Sequence, residues 1–234
     1  KGDLVLEVGP GLGSLTVKLA EKAGLVVAVE LDKKLIAVLN ESTRDFSNIK
    51  IIQRDILKLN VDKVLREAID EKEGKFSHER TKIVANLPYY ITTPVIMKLL
   101  QSGLKFDSMV FMVQKEVADR MTAKPGGKDY GSLSVAVQYY SKASVAFRVP
   151  PSFFIPQPDV DSCVVKLVIH ETPPVKLNDE KLFFRVVKAS FGQRRKTLLN
   201  ALNNSGFFDL TKEEIKEILN ENGFNENVRG EALS

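Results

Sequence analysis

The pentapeptide NLPYY at residues 86–90 follows directly on the apolar run KIVA. A strand that merely ended would need only a turn residue. Asn86 instead supplies a neutral group that donates and accepts hydrogen bonds. Pro88 fixes its own backbone φ and stiffens the turn. Tyr89 and Tyr90 add flat apolar surface. Together they describe a strand end that needs a neutral hydrogen-bonding group beside a flat apolar face.

A second group of chemistry-bearing residues stands near the start of the chain. The stretch EVGPGLGS places glycines at 9, 11 and 13 between an apolar run and an amphipathic one. Glycine permits positive φ and lets backbone pass close to a ligand, and helix N-terminal amides hold polar or anionic groups. A tight strand-to-helix connection would use the same residues. Glu30 ends the second apolar run, about twenty residues beyond Gly9, where a carboxylate can accept from both hydroxyls of a ribose. Asp55 ends the third, where a carboxylate or a neighbouring amide can read an adenine edge. Taken singly, Glu30 could be a solvated acid at a helix N-terminus and Asp55 an N-cap. Together, two acids at consecutive strand ends beside a glycine turn define an adenosine-shaped site at the carboxyl edge of a sheet.

The elements that must carry these residues alternate. Apolar runs at 4–8, 25–31, 49–55, 82–87 and 108–114 are each followed by a helical pattern, at 14–24, 32–46, a charged stretch ending near Gly74, 93–103 and 115–123. Short apolar runs without period-two polarity are the mark of strands buried on both faces. Strand-then-helix repetition predicts an α/β doubly wound, mostly parallel sheet with helices on both sides. Beyond Pro125 the pattern changes. A glycine-rich loop (126–132) leads into SLSVAVQYYSK, read as helix. Two strands, SVAFRVP and DSCVVKLVIH, are then joined by a proline-laden link, which predicts an antiparallel addition to the sheet. Residues 171–179 read as a linker. The remainder is helical: one long amphipathic helix or two, then TKEEIKEILNENG with Thr211 as N-cap, Glu214 completing a capping box and Gly223 as C-cap.

Composition sets bounds on the rest. The chain has 234 residues, 44% hydrophobic and 27% charged, with a net charge of +4. No apolar run approaches the roughly 18 residues of a membrane span, and no signal peptide is visible. The one cysteine, Cys163, lies in an apolar strand; it excludes an internal disulfide framework and fits a reducing compartment, the cytoplasm. His78 and His170 are far apart and have no cysteine partners, so no metal site is expected. Both ends look trimmed: the chain enters a strand almost at once after Lys1 and stops after RGEALS.

The dinucleotide-binding pattern G-x-G-x-x-G would put its third glycine at position 14, where Ser14 stands. With Glu7, the pattern here is E-x-G-x-G-x-G, which resembles the S-adenosylmethionine loop of class I methyltransferases. NLPYY resembles the N/D-P-P-Y/F signature of methyltransferases that modify exocyclic amines. Its leucine variant is similar to that of the small-subunit ribosomal RNA adenine dimethyltransferases. The stretches VVAVELD, QRD, VANLPYYITTPV, FMVQKEVADR, YGSLSVAVQYY, VPPSFFIPQPDVDSCVV and FGQRRKTLLNAL extend the resemblance over nearly the whole chain.

That resemblance implies a Rossmann-like class I methyltransferase sheet (1–174) and a small C-terminal helical RNA-binding domain (175–234). It implies S-adenosyl-L-methionine as cofactor and dimethylation of two adjacent adenosines in the 3′-terminal hairpin of small-subunit rRNA. The partner would be that rRNA within an assembling small ribosomal subunit, with a monomeric enzyme and no membrane. The family's cofactor contacts carry over to Gly9, Glu30, Asp55 and Asn86, with Glu7 and Gly11 as loop residues and Leu31 and Ile56 beside the two acids. Asn86 and the Leu87 carbonyl become the groups around the target amine. Tyr89 and Phe154 become the aromatic clamp, while Tyr90 and Phe153 read as packing residues. Arg194, Arg195 and Lys196 become candidate phosphate contacts rather than a merely solvated helix face, with Lys115 and Arg120 as weaker ones. Two other readings stand beside this one: antibiotic-resistance dimethylation of large-subunit rRNA, and a non-catalytic binding factor on the same fold. Members of the family also carry a preceding segment with a Q-N-F-L-like motif that closes over the methionine part of the cofactor. A chain beginning after it is expected to fold but to bind cofactor weakly.

Overall fold

The computed structural model describes residues 2–72 and 79–233. The chain divides into two compact units, Lys1–Ala118 with Ser141–Ile169, and Asp119–Tyr140 with His170–Ser234. The units are therefore not consecutive stretches, as a boundary at 174/175 has them. Residues 119–140 belong with the C-terminal helices, and the second unit begins again at His170.

The first unit holds a seven-stranded sheet of order β3-β2-β1-β4-β5-β7-β6. Its strands are β1 (Asp3–Val8), β2 (Leu25–Glu30), β3 (Ile49–Gln53), β4 (Arg80–Asn86), β5 (Ser108–Gln114), β6 (Ser141–Val149) and β7 (Ser162–Ile169). The first five are parallel, with Leu6 opposite Val27 on one side and Ile83 on the other. β7 runs antiparallel between β5 and β6, as the proline-rich link suggested. The chain travels outward from β1 to β3, then returns to lay β4 against β1. That reversal opens a crevice at the carboxyl ends of β1 and β4.

Burial on both faces holds for β2, whose six residues are all buried, and for β1 beyond Asp3. It does not hold further out. In β4, β5 and β7 burial alternates: Ile83, Ala85, Met109, Phe111, Val113, Cys163, Val165 and Leu167 are buried. Val84, Val110, Met112 and Val164 on the opposite face are only half-buried, and Lys166 and Val168 are exposed. These strands use residues apolar enough for two buried faces, but only one face is fully covered.

Parallel strands require crossover connections, and helices supply them. They are α1 (Ser14–Ala20), α2 (Lys33–Thr43), α3 (Val61–Asp70) and α4 (Thr92–Leu100), and α5 (Lys115–Thr122) follows the last parallel strand. The Asp32 carboxylate caps α2 by accepting from the Lys34 amide at 2.8 Å, and Asn60 caps α3 in the same way. α3 ends before the expected stop near Gly74, which lies outside the described residues, as does His78.

The second unit contains α6 (Ser132–Tyr140), α7 (Glu180–Gly192), α8 (Leu198–Asn203) and α9 (Lys212–Glu221). α6 stops at Tyr140 because the next two residues of the expected helix already pair as β6. The long helical stretch is two helices, broken at 193–197, with Thr197 capping the second. The Thr211–Glu214 capping box is present, and Gly223 sits one residue beyond the C-cap Asn222 at φ 77°. Ala189, Leu198, Leu199, Leu202 and Ile215 form this unit's core. No helix among the described residues is long and apolar enough to cross a membrane.

Candidate active site

The glycine turn leaves β1 at the crevice. The Gly9 amide donates to the Val29 carbonyl at 3.0 Å, tying the turn to β2. Gly13 is the N-cap of α1 at φ 89°, where a β-carbon would lie 2.5 Å from Ser42 Oγ. Only glycine fits there, by both conformation and space. At Gly9, φ 71°, a β-carbon would lie 3.5 Å from the Asn86 carbonyl oxygen. The turn after β1 thus packs against the turn after β4. Gly11 faces open space.

Glu30 ends β2 with its carboxylate held by backbone. Oε1 accepts from the Leu31 and Asp32 amides, both at 2.8 Å, and Oε2 from the Gly11 amide at 3.1 Å. A carboxylate has about four acceptor sites. Three are filled, so one directed position on Oε2 remains for a ligand hydroxyl. The two-hydroxyl expectation therefore narrows to one while these amide bonds stand. Leu31, 61% exposed, offers an apolar surface next to it.

Asp55 does not end the third strand: β3 stops at Gln53, and Asp55 lies in the loop two residues on. Its Oδ1 accepts from the Leu57 amide at 2.9 Å. Ile56, beside it, is buried as a whole residue. Leu31, Gln53, Arg54, Asp55, Lys58 and Leu59 line a cleft of about 460 Å³. The loop is braced from behind by Lys98 of α4, whose ammonium donates to the Leu57 and Leu59 carbonyls at 2.7 and 2.9 Å.

On the other side of the crevice, Asn86 is exposed at the end of β4. The Leu87 side chain is buried, which leaves its carbonyl as its polar contribution. The Pro88 carbonyl accepts from the Ile91 amide and the Thr92 hydroxyl, both at 3.1 Å, closing a short 3₁₀ turn. Tyr89 is 39% exposed, and its hydroxyl lies 3.1 Å from that of Ser162 at the start of β7. Phe154 is half-buried in the link between β6 and β7. Tyr90 and Phe153 are not packing residues: they are 80% and 78% exposed. Their short 3₁₀ turns project the side chains outward from the strand ends, beyond reach of the core.

Glu7, next to the glycine turn, is buried, and its Oε2 has no hydrogen-bond partner. Burial pushes its pKa up to about 7; the nearby Thr16 hydroxyl opposes this slightly but is not placed for a proper hydrogen bond. Glu7 is therefore poised between carboxyl and carboxylate near neutrality.

The basic candidates lie on different elements. Arg194, Arg195 and Lys196 stand exposed in the turn between α7 and α8, not on a helix face. Arg194 pairs with Glu231 at 3.1 Å. Lys115 opens α5, its amide donating to the Asp161 carbonyl at 2.9 Å, and Arg120 lies in that helix's last turn. Among the described residues no cluster could hold a metal ion. Sequence reasoning passed over Lys98 and Thr16, which carry no motif signal. It also passed over Ser162, which lay inside a quoted motif but reads there as one more strand residue.

The whole chain, residues 1–234, matches the ribosomal RNA adenine dimethylase family. It is 50% identical to the ribosomal RNA small subunit methyltransferase A of Alkaliphilus oremlandii, over all of this chain and 79% of that protein. It is 47% identical to the protein of the same name from Clostridioides difficile, over all of this chain and 78% of that one. Among solved structures, a dimethyladenosine transferase from Plasmodium falciparum aligns with TM-score 0.75 and 27% identity, over 99% of this chain and 85% of that chain. The 23S rRNA methyltransferase ErmE shares the fold, with TM-score 0.64 and 23% identity over 99% of this chain and 88% of that chain. With the glycine turn, the capped Glu30 and the Asn86–Tyr89 turn meeting at one crevice of such a sheet, the chain belongs to the ribosomal RNA adenine dimethylase family.

Proposed function

We propose that this protein dimethylates the N6 amines of two adjacent adenosines in the 3′-terminal hairpin of small-subunit rRNA, using S-adenosyl-L-methionine. The observation that carries the reading is the packing of Gly9 against the Asn86 carbonyl. It brings the glycine turn beside the amide–aromatic turn, which supports a cofactor and a target base meeting at one crevice.

The residues present fit the cofactor. Glu30 Oε2 keeps one acceptor position for a ribose hydroxyl, Gly11 opens on free space, and the cleft beside Leu31 and Asp55 can take an adenine ring. When bound, the cofactor supplies a methyl group made electrophilic by a positively charged sulfur. The rest falls to the chain. An adenine amine is a poor nucleophile because its lone pair is delocalised into the ring. It needs no general base before attack, since its proton becomes acidic only after methylation and then passes to solvent. The Asn86 side-chain oxygen and the Leu87 carbonyl accept its two N–H bonds, draw them out of plane and leave the lone pair facing the methyl group. Pro88 stiffens that turn, and Tyr89 with Phe154 clamps the base. The target must leave its stack to arrive there, and the exposed rings of Tyr90 and Phe153 suit the flanking unpaired bases.

The names of the relatives at about 50% identity favour the small subunit over the large one. The basic turn at 194–196 is read as a phosphate contact, and the work is placed in the cytoplasm, on an assembling subunit. Transfer of labelled methyl groups to small subunits lacking the modification tests this. Two dimethyladenosines near the 3′ end are expected. Label on large-subunit rRNA alone points to the resistance-type activity, and no transfer at saturating cofactor points to a binding factor.

A further inference from the structure

We infer that Ser162 is a positioning residue for the target base, acting through Tyr89; this rests on the reading of Tyr89 as a ring that carries adenine.

Ser162 is fully buried at the first position of β7. Its backbone pairs with Gln114, the last residue of β5, on one side and with Val149, the last of β6, on the other. The preceding Asp161 carbonyl accepts from the Lys115 amide at 2.9 Å. The backbone at this position is therefore held from two strands and a helix start, and the hydroxyl has only its own torsion left to move. Tyr89 is the opposite case. It sits in a single 3₁₀ turn, 39% exposed, and its ring is free to swing unless something holds its far end. The hydroxyl–hydroxyl contact at 3.1 Å is that hold, and either group can be the donor.

The chemistry of the position supports a purpose beyond packing. Ser162 lies on the face of Val164, Lys166 and Val168, which are half-buried or exposed, yet it is itself fully buried. A buried hydroxyl is unfavourable unless paired, and packing alone would be met by alanine. Ser162 instead directs its side chain to the hydroxyl of a partly exposed tyrosine. One end of Tyr89 is thus pinned to the antiparallel part of the sheet, while 39% of the residue stays exposed. Ser162 also ends the link that carries Phe154. One rigid strand start therefore holds Tyr89 and sets where the Phe154 link rejoins the sheet.

The bond can be cut from either side. Ser162→Ala removes the buried hydroxyl, and Tyr89→Phe removes the other without disturbing the core. Single-turnover methyl transfer is measured at saturating rRNA and cofactor, beside calorimetric affinity for S-adenosylhomocysteine. Each variant is expected to lose about three- to tenfold in rate, as loss of one modest hydrogen bond does, with cofactor affinity unchanged. The double variant is expected to be no slower than either single one, because both cut the same bond. Wild-type rates in Tyr89→Phe, or losses that multiply in the double variant, overturn the inference. Tyr89→Leu separates the two levels. If it turns over normally, the ring does not carry the base and the underlying reading fails. If it is slow while Tyr89→Phe is normal, only the role of Ser162 fails.

Discussion

Oε2 of Glu30, at the end of β2, accepts a hydrogen bond from the Gly11 amide at 3.1 Å, while Oε1 of the same carboxylate accepts from Leu31 and Asp32. One side chain thus joins the glycine turn after β1 to the start of the next loop. It shapes the proposed cofactor site before any ligand arrives, and it leaves a single acceptor position for a hydroxyl.

Glu30→Gln therefore does two kinds of damage. An amide nitrogen cannot accept from Gly11 if the oxygen stays with Leu31 and Asp32, and the negative charge that strengthens all three bonds is lost. Hydrogen bonds to charged groups contribute about 1.5–3 kcal/mol. Affinity for S-adenosylhomocysteine should fall about 10- to 100-fold by calorimetry. An affinity within twofold of wild type would show that the ribose is held elsewhere.

On the proposed mechanism, Asn86→Ala removes a preorganised acceptor from the target amine. Methyl transfer should slow by ~10²–10³, measured in single turnovers that resolve mono- from dimethyladenosine. The second step starts with one N–H instead of two, so the two steps should be slowed unequally. A variant within threefold of wild type at both steps, with cofactor saturating, would rule out this use of Asn86.

Glu7 makes stability depend on pH. Its folded pKa, about 7, lies above the ordinary 4.5. The folded state therefore binds the proton more tightly than the unfolded state. Stability declines as pH rises from about 4.5 through 7 and stays reduced above that. The full cost is about 3 kcal/mol at high pH, from roughly 1.4 kcal/mol per unit. Glu7→Gln keeps the shape and removes the charge. Its melting temperature should exceed that of the unmodified chain at pH 8.5 and match it near pH 5. Equal differences at the two pH values would show that the carboxyl finds compensation in the folded protein.

Arg195 and Lys196 are the cleaner test of the basic turn, because Arg194 already pairs with Glu231. Reversing both to glutamate should weaken rRNA binding and flatten its dependence on salt. Each lost phosphate contact should lower the log–log slope by about 0.7–0.9. Arg194→Gln should change the slope less. A slope unmoved by the double reversal would make these residues a solvated turn.

Much of this protein is determined by its sequence read locally. The alternation of apolar runs with amphipathic stretches specified a parallel sheet crossed by helices. Pro150, Pro151, Pro156 and Pro158 marked where the antiparallel pair is joined. The caps at Thr211 and Gly223 were legible because capping depends on residues three or four apart. Glu30 and Asn86 were legible as strand-end residues and Gly9 and Gly13 as turn residues from local pattern, whereas Asp55, expected to end the third strand, lies two residues beyond it. Tertiary structure alone decided which strand ends meet. Gly9 touches the Asn86 turn because β4 returns to the side of β1, a pairing between residues far apart in the chain. The same holds for Tyr89 and Ser162, for Lys98 bracing the Asp55 loop, and for residues 119–140 joining the C-terminal helices. Exposure was decided there too. An aromatic residue has the same apolar character whether buried or not, so the open positions of Tyr90 and Phe153 depend on how their turns leave the sheet. The acceptors already filled on Glu30 belong with these, since Gly11 reaches that carboxylate only once β1 and β2 lie side by side.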